Sequence, residues 1–216
     1  GTGKAGNDGK FTIDLGTPLT NGEQITATAT DPSDNTSLGG QVTAPDLTAP
    51  DAPANLEVSP DGKTVTGTAE PGSTITLKDA DGNTIGTGKA GNDGKFTIDL
   101  GTPLTNGEQI TATATDPSGN TSPGGQVTAP DITPPAAPGN LVVAEDGASV
   151  SGTAEPNSTI IIKAPDGTII GQATAGPDGT FTIPISPAQT NGEALEVTAT
   201  DGSGNTSPSG FARSEE

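Results

Sequence analysis

The sequence predicts an all-β fold in which antiparallel sandwiches of seven strands repeat in tandem along a rod. Three observations lead there. The block GTGKAGNDGKFTIDLGTPLTNGEQITATATDPS begins at Gly1, recurs word for word at Gly86 and returns in diverged form at Gly171, a period of 85 residues. Within each unit the apolar residues recur every second position, the period of a strand and not of a helix. Finally, 32 Gly and 20 Pro break the chain into short segments, too short for an amphipathic helix and suited to strands joined by tight turns.

In the complete unit, strands A to G are expected at about 54–59, 63–70, 73–79, 83–89, 94–100, 107–115 and 123–128. Strand B alternates Val65, Gly67 and Ala69 with Thr64, Thr66 and Thr68. Strand C sets Ile75 and Leu77 against Thr74 and Thr76; strand E carries Phe96, Ile98 and Leu100. Strand F places Ile110, Ala112 and Ala114 inward with Thr between them. Asp61-Gly62 and Asp81-Gly82 are hairpin dipeptides that tolerate positive φ, Gly91-Asn92-Asp93-Gly94 closes D to E, and Asn106-Gly107 precedes F. Phe11, Phe96 and Phe181 share one repeat position, and alternation points all three inward.

The repeat divides the chain into 1–50, the C-terminal half of a unit (strands D to G only); 51–135, a complete unit; and 136–216, a complete, diverged unit ending in a Gly210-Phe211-Ala212 tail. Residues 1–50 and 86–135 differ only at positions 34, 38, 47 and 49, and the chain reads as a fragment of a longer array. A half-sandwich leaves strand edges unpaired, so 1–50 is expected to be poorly ordered alone or to borrow strands. Pro45, Pro50 and Pro53 stud one linker, and Pro130, Pro134, Pro135 and Pro138 the next. Each fixes its φ and restricts the residue before it, which makes these segments stiff and extended.

Lys and Arg number 8 against 27 Asp and Glu, a net charge of −19. That balance argues against nucleic acid and anionic membranes, whose affinity needs cations on the protein. There is no His, Cys, Met, Trp or Tyr. Catalysis by a His base, a Cys nucleophile or a Tyr acid is excluded, as are the metal sites built on His and Cys. No apolar run reaches membrane-spanning length, and the first residues form neither a signal nor a transit peptide.

The string Val65-Thr-Gly-Thr-Ala-Glu70-Pro71-Gly72-Ser73, followed by Asp81-Gly-Asn, Asp93-Gly-Lys-Phe96, Thr105-Asn-Gly107-Glu108 and Thr113-Ala-Thr-Asp116-Pro-Ser-Gly-Asn120-Thr-Ser122, resembles the bacterial Ig-like repeats of giant surface adhesins, including the Bap-type biofilm-associated proteins. The resemblance covers the whole chain. It implies Ig-like sandwiches, an extracellular location on the bacterial cell surface, and a stalk or spacer role in cell adhesion and biofilm formation. Its partners would be adjacent repeats of the same chain. Several relatives bind Ca2+ between repeats.

Only the acidic residues offer site chemistry. The loops at one pole of a seven-stranded sandwich bring Glu70 and Asp116 toward linker residues Asp46 and Asp51, and Glu155 and Asp201 toward Asp131. Ca2+ takes six to eight oxygens, several from carboxylates, so these seven residues are the expected junction ligands. The competing reading assigns Asp31, Asp116 and Asp201, each opening a loop that reaches Asn-Thr-Ser, to capping of nearby amides as Asx-turns. Asp79-Ala-Asp81-Gly-Asn83 imitates the start of an EF-hand loop, but Thr84 stands where its glycine belongs and a hairpin turn fits better. No enzyme is expected. The alternative to a spacer is a ligand-binding module or a homotypic adhesive surface, for which Thr-covered faces and open strand edges supply the contact.

Overall fold

A computed structural model of the chain describes residues 1–215. All its strand pairs are antiparallel, and no helix occurs among the described residues. Two compact units emerge, one of residues 1–104 with 108–129, the other of residues 105–107 with 130 onward.

The first unit opens with a lone hairpin pair, β1 (Gln24–Ala27) and β2 (Gly40–Thr43). Seven strands follow: β3 (Ala54–Val58), β4 (Thr64–Thr68), β5 (Thr74–Lys78), β6 (Thr84–Lys89), β7 (Lys95–Asp99), β8 (Gln109–Thr115) and β9 (Gly125–Thr128). They are the expected strands A to G, each end within two residues of its expected place. Two sheets form, in the orders β3-β4-β7 and β6-β5-β8-β9. The alternation does what its period requires. Val65, Phe96 and Ile98 from one sheet pack with Ile75, Leu77, Ile110, Ala112 and Ala114 from the other in one buried cluster. Each large side chain taken from water contributes about 1.5–3 kcal/mol, while the Thr residues between them face outward.

One glycine sets the spacing of this core. Gly67 lies opposite Phe96 in the β4–β7 register, and a Cβ built there would sit 2.7 Å from the Phe96 ring and 2.8 Å from Leu56. The ring therefore lies over the bare backbone of its cross-strand neighbour. Strand β3, at a sheet edge, carries a bulge between Ala54 and Glu57, with Asn55 at a φ of 51° and its amide donating to Thr68 Oγ1. Asparagine tolerates that conformation better than most residues, and a bulge makes an edge a poor template for foreign strands.

Residues 1–50 form only some of the strands that the repeat assigns to them. Of strands D to G, only the counterparts of F and G form, as β1 and β2. Strand E pairs with B, and D with C, in the complete repeat, and no segment of 1–50 supplies B or C. Without those partners the D and E sequences have nothing to hydrogen-bond. Phe11 is accordingly 58% exposed where Phe96, at the same repeat position, is 4% exposed. The inward expectation holds for Phe96 and Phe181 and fails for Phe11.

The second unit repeats the arrangement with β10 (Gly139–Val143), β11 (Ser149–Thr153), β12 (Thr159–Lys163), β13 (Ile169–Thr174), β14 (Thr180–Pro184), β15 (Ala194–Thr200) and β16 (Gly210–Arg213). Its sheets run β10-β11-β14 and β13-β12-β15-β16. Core residues Val150, Ile160, Ile162, Phe181, Ile183, Leu195, Val197 and Ala199 stand 85 positions after their first-unit counterparts. The apparent Gly210-Phe211-Ala212 tail is the last strand, paired with β15, and it buries Ala212 while Phe211 points out.

Two outcomes are expected. Amide exchange in residues 1–20 will be much faster than at the same repeat positions in 86–105; equal protection would contradict the missing-partner explanation. Gly67→Val, which drives a side chain into the Phe96 ring, will destabilise the repeat by about 1–3 kcal/mol in urea unfolding, and an unchanged midpoint would show that the ring does not need that space.

Candidate functional site

The loops between β8 and β9 and between β15 and β16 are built alike, and each meets a linker aspartate. In the first unit Asp116 Oδ1 accepts main-chain N–H groups of Ser118 (2.8 Å) and Asn120 (2.9 Å), and Oδ2 accepts the Asn120 side-chain amide (2.8 Å). The turn is locked at its base by the Thr115 and Thr121 hydroxyls at 2.9 Å and by Ser122 Oγ accepting from Ala114 N. Asp201 does the same with Ser203 and Asn205, and Asp31 with Ser33 and Asn35. These are the Asx-turns that the capping reading describes. Asp79 holds Asp81 and Asn83 in the same way, so the EF-hand look-alike is a turn.

Asp46 and Asp131 arrive from the linkers that follow β2 and β9. Ser118 Oγ donates to Asp46 Oδ2 at 3.1 Å, and the Asn120 amide donates to the Asp46 main-chain carbonyl at 3.2 Å. Asp46 is fixed from behind by a bridge to Asn21, and Leu47 N donates to Thr20 O at 2.7 Å. In the second unit Ser203 Oγ donates to Asp131 Oδ2 at 2.7 Å and the Asn205 amide to the Asp131 carbonyl at 3.2 Å. Asp131 is bridged to Asn106, and Ile132 N donates to Thr105 O at 2.8 Å.

Of the seven expected ligands, the structure thus brings Asp46 to the Asp116 loop and Asp131 to the Asp201 loop. Asp51 and Glu70 line one shallow recess with Ala52, Ala54, Thr68 and Ala69. Glu155 uses its main-chain carbonyl, which accepts from Ser158 N and Oγ; Glu70 does so with Ser73. No group of three or more acidic side chains placed to hold a metal ion occurs among the described residues. The loop donors around each linker aspartate are neutral side chains. Asn120 satisfies two oxygens at once, Asp116 Oδ2 and the Asp46 carbonyl, which requires its NH2 group to face them, whereas a calcium ligand would present its oxygen.

Sequence reasoning missed Ser118, Asn120, Ser203 and Asn205. The signal was present as Asp-X-Ser-X-Asn at 116–120 and 201–205. An Asx-turn consumes one N–H of the asparagine amide and leaves the second to point outward.

Hydrogen bonding lowers several carboxyl pKa values. The Asn35 and Asn205 amides hold Asp31 and Asp201 below the ordinary range. At Asp116, burial pushes upward, and the combined donation from Asn120, Ser118 and Gly119 outweighs it. Ser214 Oγ and Asn191 N bring Glu193 down to about 2.

Paired sheets with a bulged edge strand, arrayed at a fixed period and joined by proline-bearing linkers, define a tandem Ig-like β-sandwich protein. The bacterial Ig domain family matches residues 1–46, 49–131 and 134–213, and the chain belongs to that family. No curated protein matches it. Among solved structures it is similar to the BSP domain of a biofilm-associated protein, with 18% identity and a TM-score of 0.35, over 76% of this chain and 29% of that one. It is also similar to a two-domain fibronectin type III segment of chicken tenascin, with 14% identity and a TM-score of 0.35, over 77% of this chain and all of that one. Domains A168–A170 of titin align over 90% of this chain and 75% of theirs, at 13% identity and a TM-score of 0.39.

These lowered values fix the sign of the pH dependence. A carboxyl whose folded pKa is depressed stabilises the fold fully above its unfolded pKa, about 4, and loses that contribution as pH falls through the folded value. Relief of the general negative charge works the other way, but exposed charges are screened beyond about 8 Å at physiological salt, so the short loop bonds win. Thermal unfolding will hold steady from pH 7 to 5 and fall steeply below about 4; a midpoint that rises on acidification would contradict this.

Proposed function

We propose that these repeats are a spacer in a bacterial surface adhesin, holding an adhesive region away from the cell in adhesion and biofilm formation. One observation carries the reading: 1–50 and 86–135 agree at all but four positions and keep nearly every loop residue. A ligand-binding module gains specificity by diversifying its loops, whereas a spacer gains only length from each added copy. Membership of the bacterial Ig domain family supports a bacterial source, and the absence of Cys suits a reducing compartment and a bacterial exterior alike. Among the described residues no helix is long and apolar enough to cross a membrane. An enzyme has little support, since the recesses are shallow and no His, Cys or Tyr is available.

A homotypic reading keeps one specific support. Leu38, Val42 and Leu47, on or beside the β1–β2 pair, are 96%, 61% and 67% exposed, and open strand edges accept foreign strands. Small-angle scattering of chains with two, three and four repeats separates the two readings. A spacer predicts monomers whose maximum dimension grows by about 35–40 Å per repeat, from strands of some seven residues plus two loop layers. Reversible association that strengthens as acid removes the net negative charge, with no regular growth in length, would favour the homotypic surface.

A further inference from the structure

The linker aspartates and the loops they meet form a repeated device that neither the family match nor the spacer reading assigns. We propose that Asp46 and Asp131 are latch residues: each seats in a two-donor socket, Ser118 with Asn120 and Ser203 with Asn205, and fastens its linker to that loop by direct hydrogen bonds without a metal ion.

Each contact is made twice, with every partner displaced by 85 residues and with the same atoms in the same roles. The socket is formed before the aspartate arrives. Ser118 and Asn120 are held by their main-chain N–H groups to Asp116 Oδ1, and the Asn120 amide is aimed by its first N–H, which is bound to Asp116 Oδ2. Little side-chain entropy is left to lose when the second N–H meets the Asp46 carbonyl. The aspartate is also positioned beforehand. Asp46 Oδ1 accepts from Thr48 N, which leaves Oδ2 to Ser118, and Asp131 Oδ1 accepts from Thr133 N, which leaves Oδ2 to Ser203. Each aspartate therefore uses both carboxylate oxygens and its carbonyl.

Charge completes the argument. The second carboxylate beside each linker aspartate, Asp116 or Asp201, would repel it if both were bare. The asparagine amide stands on the loop carboxylate and the serine hydroxyl on the linker carboxylate, so neutral donors supply the compensation that a cation supplies elsewhere. The four positions at which 1–50 and 86–135 differ all fall in these two kinds of segment, 34 and 38 in the loop, 47 and 49 in the linker. The latch residue itself is the same in both copies, Asp46 and Asp131, although residues around it change.

The test is a double-mutant cycle in the whole chain, read by amide exchange at Ile132 and Thr133, with Leu47 and Thr48 as internal controls. Ser203→Ala and Asp131→Ala will each speed exchange at those amides, by roughly three- to tenfold for a partly exposed charge-assisted bond, and the double variant will add little to the larger single effect. Protection in the unsubstituted chain will be the same in millimolar Ca2+ and in chelator. Strictly additive single effects would overturn the proposal, because the two residues would then not act on each other. Loss of protection on chelation would overturn it too, by assigning the aspartate to a metal. Neither outcome depends on the spacer reading, which stands or falls on length.

Discussion

Every sandwich of this kind must satisfy main-chain N–H groups at its poles that no neighbouring strand can reach. In this chain the work falls to aspartate. Asp31, Asp79, Asp116 and Asp201 each accept two main-chain N–H groups and an asparagine amide from the next few residues. The chain has no disulfide to pin its loops and only 4 Phe to weight its cores. The loops owe their shape to carboxylates, and the linkers take their footing from loops so shaped. An acidic composition that reads at first as mere solubility is thus largely structural.

The same constraint orders the energetics. The cores are made of Val, Ile, Leu and much Ala, small side chains that bring two sheets together, and Gly67 and Gly152 make room for the one large ring in each, Phe96 or Phe181. A domain of about 80 residues buries only some 60–65% of its chain surface, so loop order is a sizeable part of its stability. Where the partner strands are absent, as in residues 1–50, the aspartate turn at Asp31 survives because it is local, while the strands carrying Phe11 do not form. Local hydrogen bonds and the β1–β2 pair persist without a core, whereas the D and E sequences, whose partners lie outside 1–50, form no strand.

Much of this was legible in the sequence. Alternation in Phe96-Thr-Ile98-Asp-Leu100 and Ile110-Thr-Ala112-Thr-Ala114 fixes strand and face together, because a period of two admits one inward set. The Asp-Gly and Asn-Gly turns sit where φ is positive, at Gly62, Gly82, Gly94 and Gly107. The bulge at Asn55 was hidden, since it depends on a cross-strand bond to Thr68. The loss of strands D and E in 1–50 follows from pairing order and not from their own residues, and the missing A, B and C strands pointed to poor order there. At the candidate site the aspartates could be found by type, because acids at loop poles are conspicuous. Their partners could not, because Ser118 and Asn120 look like ordinary loop residues until the turn aims them. Charge drew attention to acid beside acid and so to a cation, whereas the geometry places neutral donors between.

The asparagine amides carry the central claim, since they alone join loop carboxylate to linker carbonyl. Side-chain amide NMR of Asn120 and Asn205 tests it most directly. Hydrogen-bonded NH2 groups exchange slowly with water, unaffected by chelator, and in the Asp46→Ala chain the Asn120 amide keeps that protection because the carbonyl remains, while Asp116→Ala removes it. Side-chain amide protons of both asparagines that exchange with water as fast as those of free asparagine, in the unsubstituted chain, would contradict the account.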